Sequence, residues 1–292
     1  MQVQSTTQIQ QNPNKKQNNV GSSIKALVAS SLVAPLLYPV NSSILNIMKR
    51  KGNLPEDTID LIHSAGEKAL KETGLADKGA EIIYLQKHPK EPRLPRILTM
   101  FNLPEQVKNG DNAFCVLKNA VNPLTNEVVF KENAIYMPAK DLSYTLFHEI
   151  GHDLNHNFSK LGLALQKLRM PALKLAGLVA LFGAFTKNVK PEEGKNMTKT
   201  QKAKNFVRDN AGKLSFAITI PVLVEEAMAT FKGQKLANKY LPKDIAKIVS
   251  NCNKVAFLTY LLMAATVALT SYSAVKIKDY FVAKKENKSP AN

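Results

Sequence analysis

Apolar residues in this chain are bunched into a few runs separated by long polar stretches. The first run, residues 26–48, holds no charge and is long enough to cross a bilayer. Pro35, Pro39 and the polar Asn41-Ser42-Ser43 interrupt it as a straight span. A signal anchor, a re-entrant segment and a buried helical hairpin all fit it. Residues 49–109 mix charges with apolar residues at helical spacing, as in Ile59, Leu61 and Ile62 followed by Leu70 and Leu75. Prolines at 89–95 and Pro104 then mark an extended connector.

From residue 113 the period changes. Residues 113–117 (AFCVL), 127–130 (EVVF) and 134–137 (AIYM) are short β-type runs. Asn122-Pro123-Leu124-Thr125-Asn126 is a turn signal between the first two, so the pattern predicts a small antiparallel sheet. Asp141 or Ser143 is then the expected cap of a helix carrying SYTLFHEIGHDLNH. Further on lie an amphipathic basic stretch at 161–175 and two short apolar runs at 175–185 and 214–224. The second runs straight into Glu225-Glu226. Residues 255–275 are charge-free between Lys254 and Lys276, the pattern of a transmembrane helix.

These patterns predict an α+β chain that is mostly α. A small antiparallel sheet stands beside the helix that carries residues 148–152, and additional apolar helices associate with a membrane. The expected organisation is a disordered polar arm at 1–21, an apolar helical segment and candidate membrane anchor at 22–48, and a region at 49–254 that holds the sheet and the helix beside it. A transmembrane helix at 255–275 and a basic tail at 276–292 follow.

The formal charge of +17 comes mostly from lysine; Arg50, Arg93, Arg96, Arg169 and Arg208 are the only arginines. With no Trp and little aromatic interleaving, this balance does not resemble a base-stacking surface, so nucleic acid is not an expected partner. Basic segments flanking apolar ones favour an anionic membrane instead, and a membrane localisation. Cys115 and Cys252 stand in no CxxC pair, which excludes a disulfide scaffold or a cysteine zinc finger. Reduced, inert thiols are expected.

The chemistry concentrates in His148-Glu149-Ile150-Gly151-His152. On a helix, four residues advance about 6 Å and rotate about 40°, so both imidazoles leave one face. That spacing suits two nitrogens at about 2.0–2.1 Å from one Zn2+ ion. Glu149 is then placed to take a proton from the water that zinc activates. Leu146 and Ile150 give the helix an apolar face, and Gly151 is small where the helix must approach a neighbour. His156 continues the series, but i+8 lies about 12 Å along the axis from His148, too far for the same metal. His63 and His88 carry no ligand pattern and read as surface histidines. The third ligand is sought among carboxylates. Glu225 and Glu226 interrupt the apolar LSFAITIPVLVEEAMATF, which is costly unless they are paired or bind metal. Glu226 is preferred, because Ala229 three residues on offers a small face for packing against the motif helix.

With Asn112-Ala113-Phe114 opening a strand, HEIGH at 148–152 and Glu226-Ala227-Met228-Ala229 beyond a partly apolar insertion, the chain resembles the membrane-associated gluzincin metallopeptidases. These include the CAAX prenyl endopeptidases and the bacterial heat-shock membrane protease. The likeness covers roughly residues 110–232. It implies a zincin helix within a zincin-like metallopeptidase region at 49–254: a zinc metalloendopeptidase in which His148, His152 and Glu226 hold one Zn2+ and Glu149 is the catalytic base, acting on a polypeptide that adds to the sheet edge. Two departures stand out. Thr230 occupies the place of the family's Asp, which orients a ligand histidine, and no histidine follows His156. Arg208, Tyr136 or Tyr240 would then have to polarise the carbonyl. The alternative reading is a catalytically inactive zinc-binding membrane protein acting as a scaffold or lipid-binding protein.

Overall fold

The computed structural model describes residues 20–51, 53–85, 103–118, 133–189, 191 and 196–286. Two helices, α1 (Val20–Ser31) and α2 (Val33–Lys51), open it. Then come α3 (Glu56–Glu72), β1 (Ala80–Tyr84), α4 (Leu103–Lys108), β2 (Phe114–Val116) and β3 (Asn133–Met137). The motif helix α5 (Leu146–Phe158) follows, then α6 (Lys160–Phe185), α7 (Lys199–Asp209), α8 (Ala211–Tyr240) and the long α9 (Lys243–Glu286). Most of the expected polar arm, all of the 127–130 strand and the end of the basic tail lie outside the described residues.

Local chemistry sets several of these boundaries. Pro55 precedes α3, and Glu56 and Asp57 in its first turn face the positive end of the helix dipole. Thr198 and Gln201 form a reciprocal capping box on α7. Ser159 accepts a hydrogen bond from the Gly162 amide and starts α6. The cap of α5 differs from expectation. Neither Asp141 nor Ser143 caps it; Leu142 takes a left-handed conformation (φ 55°), a short 3-10 turn at Ser143–Thr145 follows, and Thr145 is the N-cap residue. Its hydroxyl turns back to donate to the Leu142 carbonyl at 2.7 Å.

The sheet is mixed rather than antiparallel. Its order is β1-β3-β2, with β1 parallel and β2 antiparallel to β3. The extra strand β1 (AEIIY) lies in a region whose spacing reads as helical, and its pairing with β3 supplies a parallel partner that local pattern cannot reveal. One face of the sheet meets Ile62 and Leu70 of α3, Leu146, Phe147 and Ile150 of α5, and Leu236 and Val249. Each such side chain, fully buried, contributes roughly 1.5–3 kcal/mol. The other face carries a smaller cluster of Ile83, Val107, Val116 and Tyr136.

Three helices, α6, α8 and α9, are long and apolar enough to cross a membrane by length and composition. The apolar run at 175–185 is the C-terminal end of α6 and that at 214–224 lies in the N-terminal half of α8, so each belongs to a helix far longer than the run alone suggests. In α9 the most apolar window is only 11% buried, so the fold itself does not cover its surface. Leu178, Phe185, Ile220, Val224, Leu261 and Leu269 are exposed along the three helices. Between the helices the contacts are small and polar: Ser215 and Ser271 share a hydrogen bond at 2.8 Å, and Gly212 packs on the Ala268 carbonyl.

The crossing of α5 on α8 positions the site. A methyl group on Gly151 would collide with the Ala229 backbone, and one on Gly233 would collide with the backbone of Phe147 and His148. Each helix therefore supplies the glycine that the other's backbone needs. Gly151→Ala and Gly233→Ala are expected to lower stability by about 1–3 kcal/mol through overpacking. Gly177→Ala on α6, where nothing lies within 4 Å, is expected to be neutral or slightly stabilising. Thermal unfolding in detergent checks the contrast; equal effects at all three positions would refute the close crossing.

Candidate metal centre

His148 and His152 stand one turn apart on α5, with their Nε2 atoms 3.1 Å from each other. Glu226 on α8 brings Oε2 to 3.3 Å from His148 Nε2 and 3.4 Å from His152 Nε2. Atoms bound tetrahedrally to one zinc ion at about 2.0–2.1 Å are separated by roughly 3.3 Å, so the triangle has the dimensions of three vertices of that polyhedron. His148, His152 and Glu226 thus form a buried group that could hold a metal ion. Glu226 is fully buried; its Oε1 pairs with Arg169 at 2.6 Å, while Oε2 has no hydrogen bond and faces two imidazole nitrogens. A buried carboxylate oxygen left without a donor is costly, and a cation at the centre of the triangle removes that cost.

Each imidazole is held from behind. With Nε2 turned to the centre of the triangle, the His148 Nδ1–H donates to the Thr230 hydroxyl at 3.1 Å, and the His152 Nδ1–H donates to Glu225 Oε1 at 2.9 Å. Thr230 therefore orients the His148 ring as a neutral acceptor. Glu225, the rival for third ligand, lies one sphere out. Its Oε1 also accepts from Asn155 Nδ2 and Gln166 Nε2, both at 3.0 Å, and Gln166 donates in addition to the His152 carbonyl at 2.9 Å. Burial depresses the His152 imidazole, but the charges of Glu226 and Glu225 outweigh it and hold the group well above its ordinary range. The same field favours a metal cation at that nitrogen.

Glu149 is buried on the first turn of α5. Cys115 of β2 lies close by: burial, with the carboxylates of Asp153, Glu149 and Glu225 nearby, pushes its thiol well up. That, and the burial of Cys252, accord with inert thiols.

The residues singled out for polarising a carbonyl stand elsewhere. Arg208 is buried where α7 meets α9, paired with Asp209 at 2.6 Å and with Asp279, and donates to the Thr186 carbonyl. Tyr136 stacks on Phe114 within the sheet, and Tyr240 donates to Glu72 on an exposed edge. At the site stand two residues that sequence reasoning missed. Arg169 of α6 contacts both Glu225 and Glu226, and the Tyr260 ring lies 6.4 Å from the His148 ring. The available signal was one arginine at the mouth of an apolar run and one tyrosine inside a charge-free one. His156 stays outside the cluster, half-buried against Gln166. His63 is buried and packed on Tyr84 rather than exposed, and His88 lies outside the described residues.

Asp153 follows His152 and is fully buried, with Oδ2 lacking a hydrogen bond. Burial pushes its carboxyl up to about 7, against the opposing hydrogen bond from Asn157. The folded state thus retains a proton that the unfolded chain releases near its ordinary value, so this group favours folding less as pH rises toward 7. Asp153→Asn is expected to flatten the fall in stability between about pH 4 and about pH 8 and to raise stability at the upper end. An unaltered pH profile in chemical denaturation would contradict the assignment. For the metal, the wild type is expected to take up one zinc ion and His148→Ala or Glu226→Ala to lose it, whereas Glu225→Ala binds about 10–100-fold more weakly. Competition titration against a chromophoric chelator measures all three.

Comparison with known proteins matches no family model, no curated protein and no solved structure.

Proposed function

We propose that this chain is a membrane-embedded zinc metallopeptidase. The observation that carries the reading is the buried triangle of His148 Nε2, His152 Nε2 and Glu226 Oε2, 3.1–3.4 Å on a side, with a carboxylate next to His148 on the same helix. A zinc ion held there supplies Lewis acidity and brings the pKa of water toward neutrality. Glu149 accepts the proton of the attacking water and delivers it to the leaving amine. Thr230 and Glu225 keep both imidazoles in the tautomer that ligation requires. β2 is an edge strand among the described residues and packs against α5, which suits pairing with an extended polypeptide.

Membrane insertion is supported by a coincidence of length on three helices. From Arg169 to Phe185, from Glu226 back to Ala211, and from Tyr260 to Lys276, each helix runs 15 or 16 residues beyond the site, and Lys174 is the one charge that interrupts these stretches short of their far ends. That is about 22–24 Å, most of a hydrocarbon core of about 30 Å. Among the described residues, lysines cluster at that far end, at Lys187, Lys199, Lys202, Lys204 and Lys213 and at Lys276, Lys278 and Lys284, where they suit anionic headgroups. The metal centre then lies at one boundary of the apolar layer.

A second reading, a zinc-binding scaffold without turnover, is favoured by one observation: Arg208, Tyr136 and Tyr240 all stand away from the centre. Glu149→Gln separates the two. The peptidase reading expects it to retain stoichiometric zinc while peptide cleavage falls by at least about 100-fold. Unchanged cleavage refutes the role of Glu149, and zinc-loaded wild type without turnover across a broad peptide library establishes the scaffold. The chain is further expected to remain with membranes on alkaline carbonate extraction.

A further inference from the structure

We infer that Arg169 is a positioning residue that holds Glu226 to the metal through one oxygen and so keeps a coordination place open. The inference rests on the zinc reading of the site. Arg169 sits on α6 where that helix becomes apolar, and its side chain is 34% exposed. Its Nη2 lies 2.6 Å from Glu226 Oε1 and its Nη1 lies 3.5 Å from Glu225 Oε2. The guanidinium carbon stands 6.0 Å from the centre of the Tyr260 ring, so an aromatic face backs the cation.

One planar cation thereby divides two carboxylates in the same way. Glu226 turns Oε2 to the two imidazole nitrogens and Oε1 to Arg169. Glu225 turns Oε1 to His152, Asn155 and Gln166 and Oε2 to Arg169. A carboxylate free of such a partner can close on a metal with both oxygens and fill the position that water or substrate needs. With Oε1 engaged by a guanidinium, Glu226 offers one oxygen, and two histidines plus one oxygen make the three-ligand set of an open site. The fork geometry matters as much as the charge. Lysine brings a single ammonium to this position and cannot match two separate oxygens in one plane.

The test is the visible spectrum of the full-length chain in detergent after loading with Co(II), whose d–d absorption weakens as coordination rises from four to five. Wild type is expected to show the intense bands of a four-coordinate ion. Arg169→Met should lose most of that intensity at equal cobalt content, and Arg169→Lys, which keeps a cation in place, should move partway in the same direction. Unfolding of the metal-free variants is followed in parallel, and if Arg169→Met does not fold, Arg169→Lys alone decides. A folded variant that takes up cobalt with the wild-type spectrum overturns the inference. Failure of the wild type to bind cobalt or zinc overturns the metal reading itself, which is a distinguishable result.

Discussion

Two ionised carboxylates side by side on an apolar helix cost several kcal/mol each to bury unless partners reach them from every direction. Glu225 and Glu226 are in that position, both with no exposed surface. The partners come from three neighbouring helices. α5 contributes His148, His152 and Asn155; α6 contributes Gln166 and Arg169; α9 brings Tyr260 against the arginine. Four helices are thus tied to one polar point within an otherwise apolar bundle. Hydrophobic contacts are non-directional and leave helices free to slide, whereas these bonds fix rotation and register.

The backbone makes the convergence possible. Without the reciprocal glycines at the crossing of α5 and α8, the axes would separate by about the width of a methyl group, and the 3.3 Å contacts between Glu226 and the histidines would open. Sheet and α3 act at longer range: their apolar side chains clamp Leu146, Phe147 and Ile150, the face of α5 opposite the ligands. The ligand face and the core face of one short helix are therefore set by different halves of the molecule. That arrangement lets the centre stand at the junction between the mixed sheet and the apolar helices.

Much of the site was legible in the chain because its chemistry is local. His148 and His152 declare themselves by i, i+4 spacing, and an acidic pair inside an apolar run is conspicuous anywhere. Choosing Glu226 over Glu225 needed only the small face at Ala229, which the structure places against Gly151. What stayed hidden depends on distant segments meeting. Nothing near Arg169 announces two acids some 56 residues away, and Tyr260 is one aromatic in a run read for its length. Thr230 looked like a lost acid because charge, rather than hydrogen-bond acceptance, was the property sought. β1 was missed for a related reason, since its partner strand lies beyond residue 130. Arg208 was one of three candidates for polarising a carbonyl, yet its partner Asp279 lies at the far end of α9.

The central claim is that His148, His152 and Glu226 share one zinc ion. It is tested most directly by anomalous diffraction at the zinc absorption edge from metal-loaded crystals. The account predicts a single strong peak at about 2.0–2.2 Å from His148 Nε2, His152 Nε2 and Glu226 Oε2. A peak bound elsewhere, or none at full zinc loading, would contradict it.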